Sequence, residues 1–311
     1  MNSRHLSVIP FYKKPKYQLF FMTLPFVALV IIFAYQPLYG WIYAFFDFKP
    51  GIPLFQNKFA GFSNFINLVN TPTNLQETFR VLVNTLAISG LQILSTPLPI
   101  LFAIYLSEIR SKSLRKIIQT TTTLPNFISW ILVYSVAFSM FSVEDGFVNR
   151  LLLKLNVLTV PMNILGSPDN VWITQTLFYL WKTLGWSAII YLAAIAGIDA
   201  ELYDAADVDG ANRMQRIRHI TIPSLLPTYF VLLLLAVANL INNGLDQYFV
   251  FQNPMTKPSI EVLDLYVYNQ GIASINYGVA TAISMFKSIV SITLLMFVNR
   301  LSKTLRGFSI F

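Results

Sequence analysis

Apolar positions gather in six long runs, and charged residues collect between them. The runs are 17–46, 81–107, 117–143, 171–198, 224–252 and 278–299. A helix needs about 20 apolar residues to cross the hydrocarbon of a bilayer, so each run predicts one transmembrane helix. The fourth, fifth and sixth runs contain one charge each: Lys182, Asp246 and Lys287. The first run is about twice as long as the apolar part of a signal peptide, and no small-residue cleavage site follows it. It is expected to stay as an anchor. The expected fold is an all-α membrane protein with six spans.

Composition agrees with this. Hydrophobic residues make up 55 % of the chain and charged residues 12 %, about half the charged share of a soluble domain. Mean hydropathy is +0.58. The net charge of +8 would suggest nucleic acid in a soluble protein, but the basic residues flank the apolar runs and so act as topology signals. With the N-terminus inside, fourteen Lys and Arg fall on the cytoplasmic side. Six fall outside (Lys49, Lys58, Arg80, Arg150, Lys154 and Lys257), and two lie within spans. Both termini are therefore expected to be cytoplasmic. The expected layout is a cytoplasmic segment 1–16, a first span 17–46, an extracytoplasmic loop 47–79, a core permease region 80–300 and a cytoplasmic tail 301–311. The chain has no cysteine, which removes disulfides, thiolate metal sites and Cys nucleophiles.

The cytoplasmic segment 199–222 carries the most information. Leu202, Ala205, Ala206 and Asp209 repeat at helical spacing and give a small, smooth face. Asp199, Glu201 and Asp204 sit at the start of that helix, where carboxylates suit the dipole. Gly210 is placed to end the helix in a turn. Asn212 is placed to cap a second short helix bearing Met214, Ile217 and Arg218, with Pro223 and Pro227 opening the fifth span. The prediction is a helix–turn–helix lying flat on the membrane surface.

This segment resembles the "EAA" loop of ABC importer permeases, which reads Glu-Ala-Ala, three residues, Gly, nine residues, Ile, one residue, Leu-Pro. Here Asp204-Ala205-Ala206, Gly210, Ile220 and Ile222-Pro223 match without a gap. Asp204 stands for Glu, which shortens its reach, and Ile222 stands for Leu. Tyr39-Gly40, Phe46-Asp47-Phe48, the stretch 59–65 (Phe-Ala-Gly-Phe-Ser-Asn-Phe), Gly146-Phe147-Val148-Asn149 and Leu180-Trp181-Lys182 with Gly185-Trp186 look like carbohydrate-type permeases. Asp246-Gln247, Asn253-Pro254 and Tyr266-Val267-Tyr268 are similar to the branch that imports oligosaccharides.

The resemblance implies the type I importer permease architecture, in the cytoplasmic membrane of a bacterium. It implies a coupling loop formed by Glu201, Asp204, Ala205, Ala206, Asp209, Gly210, Ala211, Ile220 and Pro223. The implied partners are two cytoplasmic ATPase subunits, a second homologous permease and an extracytoplasmic solute-binding protein that delivers a sugar. No catalytic residue, metal or cofactor is expected in this chain, because ATP-Mg would be held by the ATPases. No Gly-x-x-x-x-Gly-Lys-Ser/Thr, His-Glu-x-x-His or Gly-x-Ser-x-Gly occurs, against ATP binding through a P-loop, zinc proteolysis and serine hydrolysis. The alternatives are a permease for a non-sugar solute and a secondary transporter; the latter leaves the 204–223 spacing unexplained.

The charges within spans face either a partner or the translocation path. Lys182 or Lys287 would pair with Asp246, or line the path with it. Asn239, Asn242, Asn243 and Gln247 either bond across helices or meet sugar hydroxyls. Asn242 and Gln247 are the path candidates among them. Phe147, Val148, Leu151, Leu152 and Leu155 form a helical stripe that either rests on the membrane or touches an extracytoplasmic partner. His5 and His219 are isolated, so neither is expected to bind a metal or act in catalysis.

Overall fold

The computed structural model describes residues 15–306. Most of segment 1–16, with His5, and the end of tail 301–311 lie outside the described residues. Among the described residues nearly everything ordered is helical, and the single β-type contact is an antiparallel bridge between Phe46 and Phe59.

The first span is one rod of changing pitch. Helix α1 (Pro15–Val30) passes through a wide π turn at Ile31–Tyr35 into a tight 3-10 stretch at Gln36–Phe45. Pro37 accounts for the change, because its ring removes an N–H and crowds the turn before it. Only the end near Phe45 packs on the rest of the chain, along the last helix. The short α2 (Ser63–Ile66) holds that end through buried Asn64, whose Nδ2 donates to the carbonyls of Ala44 (2.9 Å) and Phe46 (3.1 Å).

The second span begins earlier than position 81. Thr71 caps α3 (Pro72–Leu94) by accepting the Asn74 N–H at 3.2 Å, and Pro72 fits the first turn. Hydropathy misses this start because Glu77 and Arg80 lie in the first turns. Helix α4 (Pro97–Ser107) follows after a break. Pro97 cannot bond to the Ile93 carbonyl, and Thr96 Oγ1 takes its place at 2.7 Å.

The third run, 117–143, is not one straight helix. Helix α5 (Lys112–Thr123) passes through a 3-10 turn (Leu124–Phe127) and meets α6 (Trp130–Phe141) at 108°. Pro125 opens the break, and Ser129 starts a new helix by accepting the Leu132 N–H. The amphipathic α7 (Phe147–Lys154) comes next, and then α8 (Val171–Ala196), which matches the fourth run closely. The loop helix α9 (Ala200–Val208) follows. After it, α10 (Arg213–Arg216), a π turn (Ile217–Thr221) and α11 (Ile222–Ala238) form one continuous rod.

The fifth run, 224–252, is also corrected: the helix stops at Ala238 and resumes only as the short α12 (Asp246–Phe251). The amides of Asn239, Asn242 and Asn243, with Gly244 at φ +80°, make helix continuation unfavourable. Helices α13 (Lys257–Ile260) and α14 (Leu263–Tyr268) lead to α15 (Tyr277–Arg306), which extends the sixth run at both ends. By length and apolarity five helices can cross a membrane, or six if the bent α5–α6 pair counts as one span.

Close backbone packing holds the bundle, as expected where lipid competes for apolar contacts. Gly185 of α8 lies against α5, where a Cβ would collide with the Thr122 carbonyl. Ile88, Val133, Tyr248, Phe251 and Leu265 form a buried cluster joining α3, α6, α12 and α14. The segment 253–277 is fastened to α3. Arg80 pairs with buried Glu261 at 2.9 Å, Asn84 Nδ2 donates to the Pro258 carbonyl at 2.9 Å, and the Leu263 N–H donates to Thr85 Oγ1 at 2.9 Å.

Candidate functional site

The loop 199–222 is built by local capping at every step. Asp199 caps α9, accepting the Glu201 N–H at 3.0 Å. Gly210 ends it at φ +73°, which lets the Ala211 N–H reach back to the Ala206 carbonyl at 2.8 Å. Asn212 and Gln215 then form a reciprocal capping box (2.7 and 3.0 Å) that starts the second arm. That arm is the base of the α10–α11 rod, so it belongs to the span it enters.

Three contacts fix the arms to each other and to the bundle. The Tyr203 hydroxyl meets Thr221 Oγ1 at 2.9 Å, Arg216 pairs with Asp207, and Arg213 pairs with Glu108 and donates to its carbonyl at 3.0 Å. The free face is formed by Glu201, Leu202, Asp204, Ala205 and Asp209, with Val208 89 % exposed beside them. Ala206, Ala211 and Ile220 are partly covered and, with Asp209 and Gly210, line a concavity between the arms. Pro223 is exposed on the second arm. Such a rigid, small-faced knob cannot shift without moving α8 or α11.

A second feature lies inside the bundle, where α3, α4, α8 and the end of α11 surround a cavity of about 180 Å³. Its polar lining is Ser89, Gln92, Thr96, Tyr179, Thr183 and Asn239, joined by Ser95, Ser187 and Asn242. Several of these groups satisfy their own helix first: Ser95 Oγ donates to the Gln92 carbonyl (2.6 Å), Thr183 Oγ1 to that of Tyr179 (2.8 Å) and Asn239 Nδ2 to that of Leu235 (3.0 Å). The lining is a mixture of hydroxyls and amides, which is suited to hydroxylated solutes. The sequence reading picked out Asn239 and Asn242 here and missed the others. Spaced hydroxyls at 89, 95, 96, 183 and 187 were the available signal, but an isolated Ser or Thr in a span is common.

The charged candidates do not meet one another. Lys182 is buried, and its ammonium donates to the carbonyls of Pro125 (3.0 Å), Asn126 (2.9 Å) and Ile128 (2.6 Å), with the Trp130 ring 5.5 Å away. It therefore caps the bend between α5 and α6. Lys287 pairs with Asp264 rather than Asp246. Asp264 Oδ2 also accepts the Gly244 N–H at 2.9 Å. The expected pairing of Asp246 with either lysine is thus corrected. Asp246 is exposed at the first turn of α12, where a carboxylate suits the helix dipole. Gln247 is buried and donates to Gln175, 2.8 Å to its carbonyl and 2.9 Å to Oε1. Asn242 donates to Ser291 Oγ at 2.9 Å, and Asn243 to Ser89 Oγ at 2.8 Å.

Comparison with known proteins agrees with this arrangement. Residues 95–307 match the model of the binding-protein-dependent transport system inner membrane component family. The chain is 34 % identical over 286 residues to the protein LplB of Bacillus subtilis, covering 92 % of this chain and 88 % of that one. It is equally similar to the polygalacturonan/rhamnogalacturonan transport system permease protein YteP of the same organism, covering 92 % and 87 %. Among solved structures it superposes with TM-score 0.83 and 32 % identity on a chain of a bacterial alginate ABC transporter in complex with an alginate pentasaccharide-bound periplasmic protein, covering 95 % of this chain and 97 % of that one.

Proposed function

The chain belongs to the family of binding-protein-dependent inner membrane transport components and is a permease subunit of a sugar ABC importer; from that premise we propose that its cargo is an oligosaccharide and that loop 199–222 couples it to an ATPase. It is a protein of the inner membrane and works with a solute-binding protein. It is not itself an enzyme. The proposed assembly adds a second homologous permease and two cytoplasmic ATPases that hold ATP-Mg, while this chain carries no cofactor. Both termini are placed in the cytoplasm, a reading supported by the excess of Lys and Arg on that side.

One observation carries the coupling role: the second arm of the loop and α11 are a single rod ending at Asn239 beside the polar cavity. Movement of the ATPase surface therefore has a direct mechanical route to the solute-facing residues. The names of the relatives support a saccharide of more than one unit, and a lining of hydroxyls and amides is compatible with it.

Gly210→Val tests the coupling role. A β-branched residue resists the positive φ required at this turn. The spans should insert normally, and loaded binding protein should no longer stimulate ATP hydrolysis by the reconstituted complex. Normal stimulation together with normal uptake would remove the coupling role from this loop.

A further inference from the structure

Helix α7 lies on the face opposite the coupling loop, because α8 separates the two along the chain. One side of it is clamped. Asn149 is buried; its Nδ2 donates to the carbonyls of Ser142 and Met162, and its Oδ1 accepts the Met162 N–H, each at 2.9 Å. A Cβ at Gly146 would collide with the Ser142 carbonyl, so the turn into α7 is tight and its direction is fixed. The other side presents Phe147 (57 % exposed), Leu151 (43 %) and Leu155 (61 %), one turn apart. The ridge continues past the helix through Val157 and Val160, both more than 60 % exposed.

We propose that this ridge is a lipid-binding surface that lies in the headgroup zone of the leaflet opposite the coupling loop and prefers anionic phospholipid. Two observations select lipid as the occupant. Helix α6, five residues before α7 and within a bent pair long and apolar enough to cross a membrane, also exposes apolar side chains, with Ile131, Val136 and Phe138 each more than half exposed. Arg150 and Lys154 are exposed next to the ridge, and neither forms an ion pair among the described residues. An amphipathic helix with an apolar stripe flanked by cations is the pattern that settles at an anionic interface, with the basic stems reaching up to phosphate.

The absence of native cysteine makes the test direct. Leu151→Cys and Leu155→Cys are spin-labelled in the complex, assembled from otherwise cysteine-free partners and reconstituted in vesicles of phosphatidylglycerol and phosphatidylcholine. Accessibility to oxygen, which concentrates in lipid, is compared with accessibility to a water-soluble nickel chelate, using Asp169→Cys, exposed in the same loop and outside the ridge, as the reference. Both leucine sites should favour oxygen severalfold over the reference, and the preference should weaken in pure phosphatidylcholine. Labels open to nickel would overturn the proposal, as would the same accessibility in both lipids. Labels shielded from both agents would also overturn it: before binding protein is added, the occupant would be a second permease, and only afterwards, the binding protein.

Discussion

Lys182→Met is the most informative substitution, because the structure gives the lysine a role that its position in a span does not. The ammonium donates to three carbonyls at the bend, and that of Pro125 also accepts the Ile128 N–H. Leaving a buried carbonyl unpaired costs about 1–3 kcal/mol, so losing the donor at Asn126 and Ile128 costs roughly 4 kcal/mol. Removing the charge returns about 2.5–3.5 kcal/mol of insertion cost. The difference is a net destabilisation of about 1 kcal/mol, concentrated where α8 holds the α5–α6 bend. Thermal unfolding of the purified complex should rank wild type and Lys182→Arg highest, Lys182→Gln intermediate with its two remaining N–H donors, and Lys182→Met lowest. Unchanged unfolding in Lys182→Met would refute the capping role. Unchanged unfolding with lost uptake would instead place the cation in the translocation path.

Asp264→Asn leaves Lys287 without its partner in a partly buried site, and loss of one member of a buried pair costs about 3–5 kcal/mol. Assembly yield should fall, and Asp264→Asn with Lys287→Gln should recover part of it; a double variant no better than the single one would show that the pair is not coupled. In the cavity, Thr183→Val and Gln92→Leu each remove a neutral hydrogen-bonding group worth about 1 kcal/mol, so the half-saturating solute concentration for uptake should rise about fivefold. Unaltered saturation in both variants would take the solute path elsewhere.

The capping of the loop was legible in the sequence because it is set by local chemistry. Gly210 and Asn212 act on backbone groups within a few residues, each at the position read from spacing, while Asp199, read only as a carboxylate suited to the helix dipole, also caps α9. The apolar segments were legible too, since they depend on length and apolarity; five helices meet that test, and the expected six are reached only if the bent α5–α6 pair counts as one span. The bends were not. A run of apolar residues averages over Pro125 and over the amides at 239–243, so 117–143 and 224–252 read as straight helices. The partner of Lys287 was hidden for a different reason. Asp264 belongs to a segment that reads as a loop, and Arg80, Asn84 and Thr85 fold that segment back onto α3 through contacts more than 170 residues apart in sequence. Polar groups in spans give no sign of whether they face a carbonyl, a carboxylate or a cavity; Lys182, Lys287 and Asn242 meet one of each.

The unbroken rod Arg213–Ala238 sets a gear ratio for the machine. Its 26 residues make a lever about 39 Å long, so a sideways push of about 5 Å at the loop turns it through roughly 7°. A stiff lever needs a compliant joint, and the chain provides one just past the tip, where 239–245 leave the helix before α12 begins. Asn243 bonded to Ser89, the Gly244 N–H bonded to Asp264 and Asn242 bonded to Ser291 tie this joint to three different helices. Under the proposed coupling role, the angular travel of the lever is limited by how far these three tethers stretch before one lets go, which makes the joint the place where the stroke would be set.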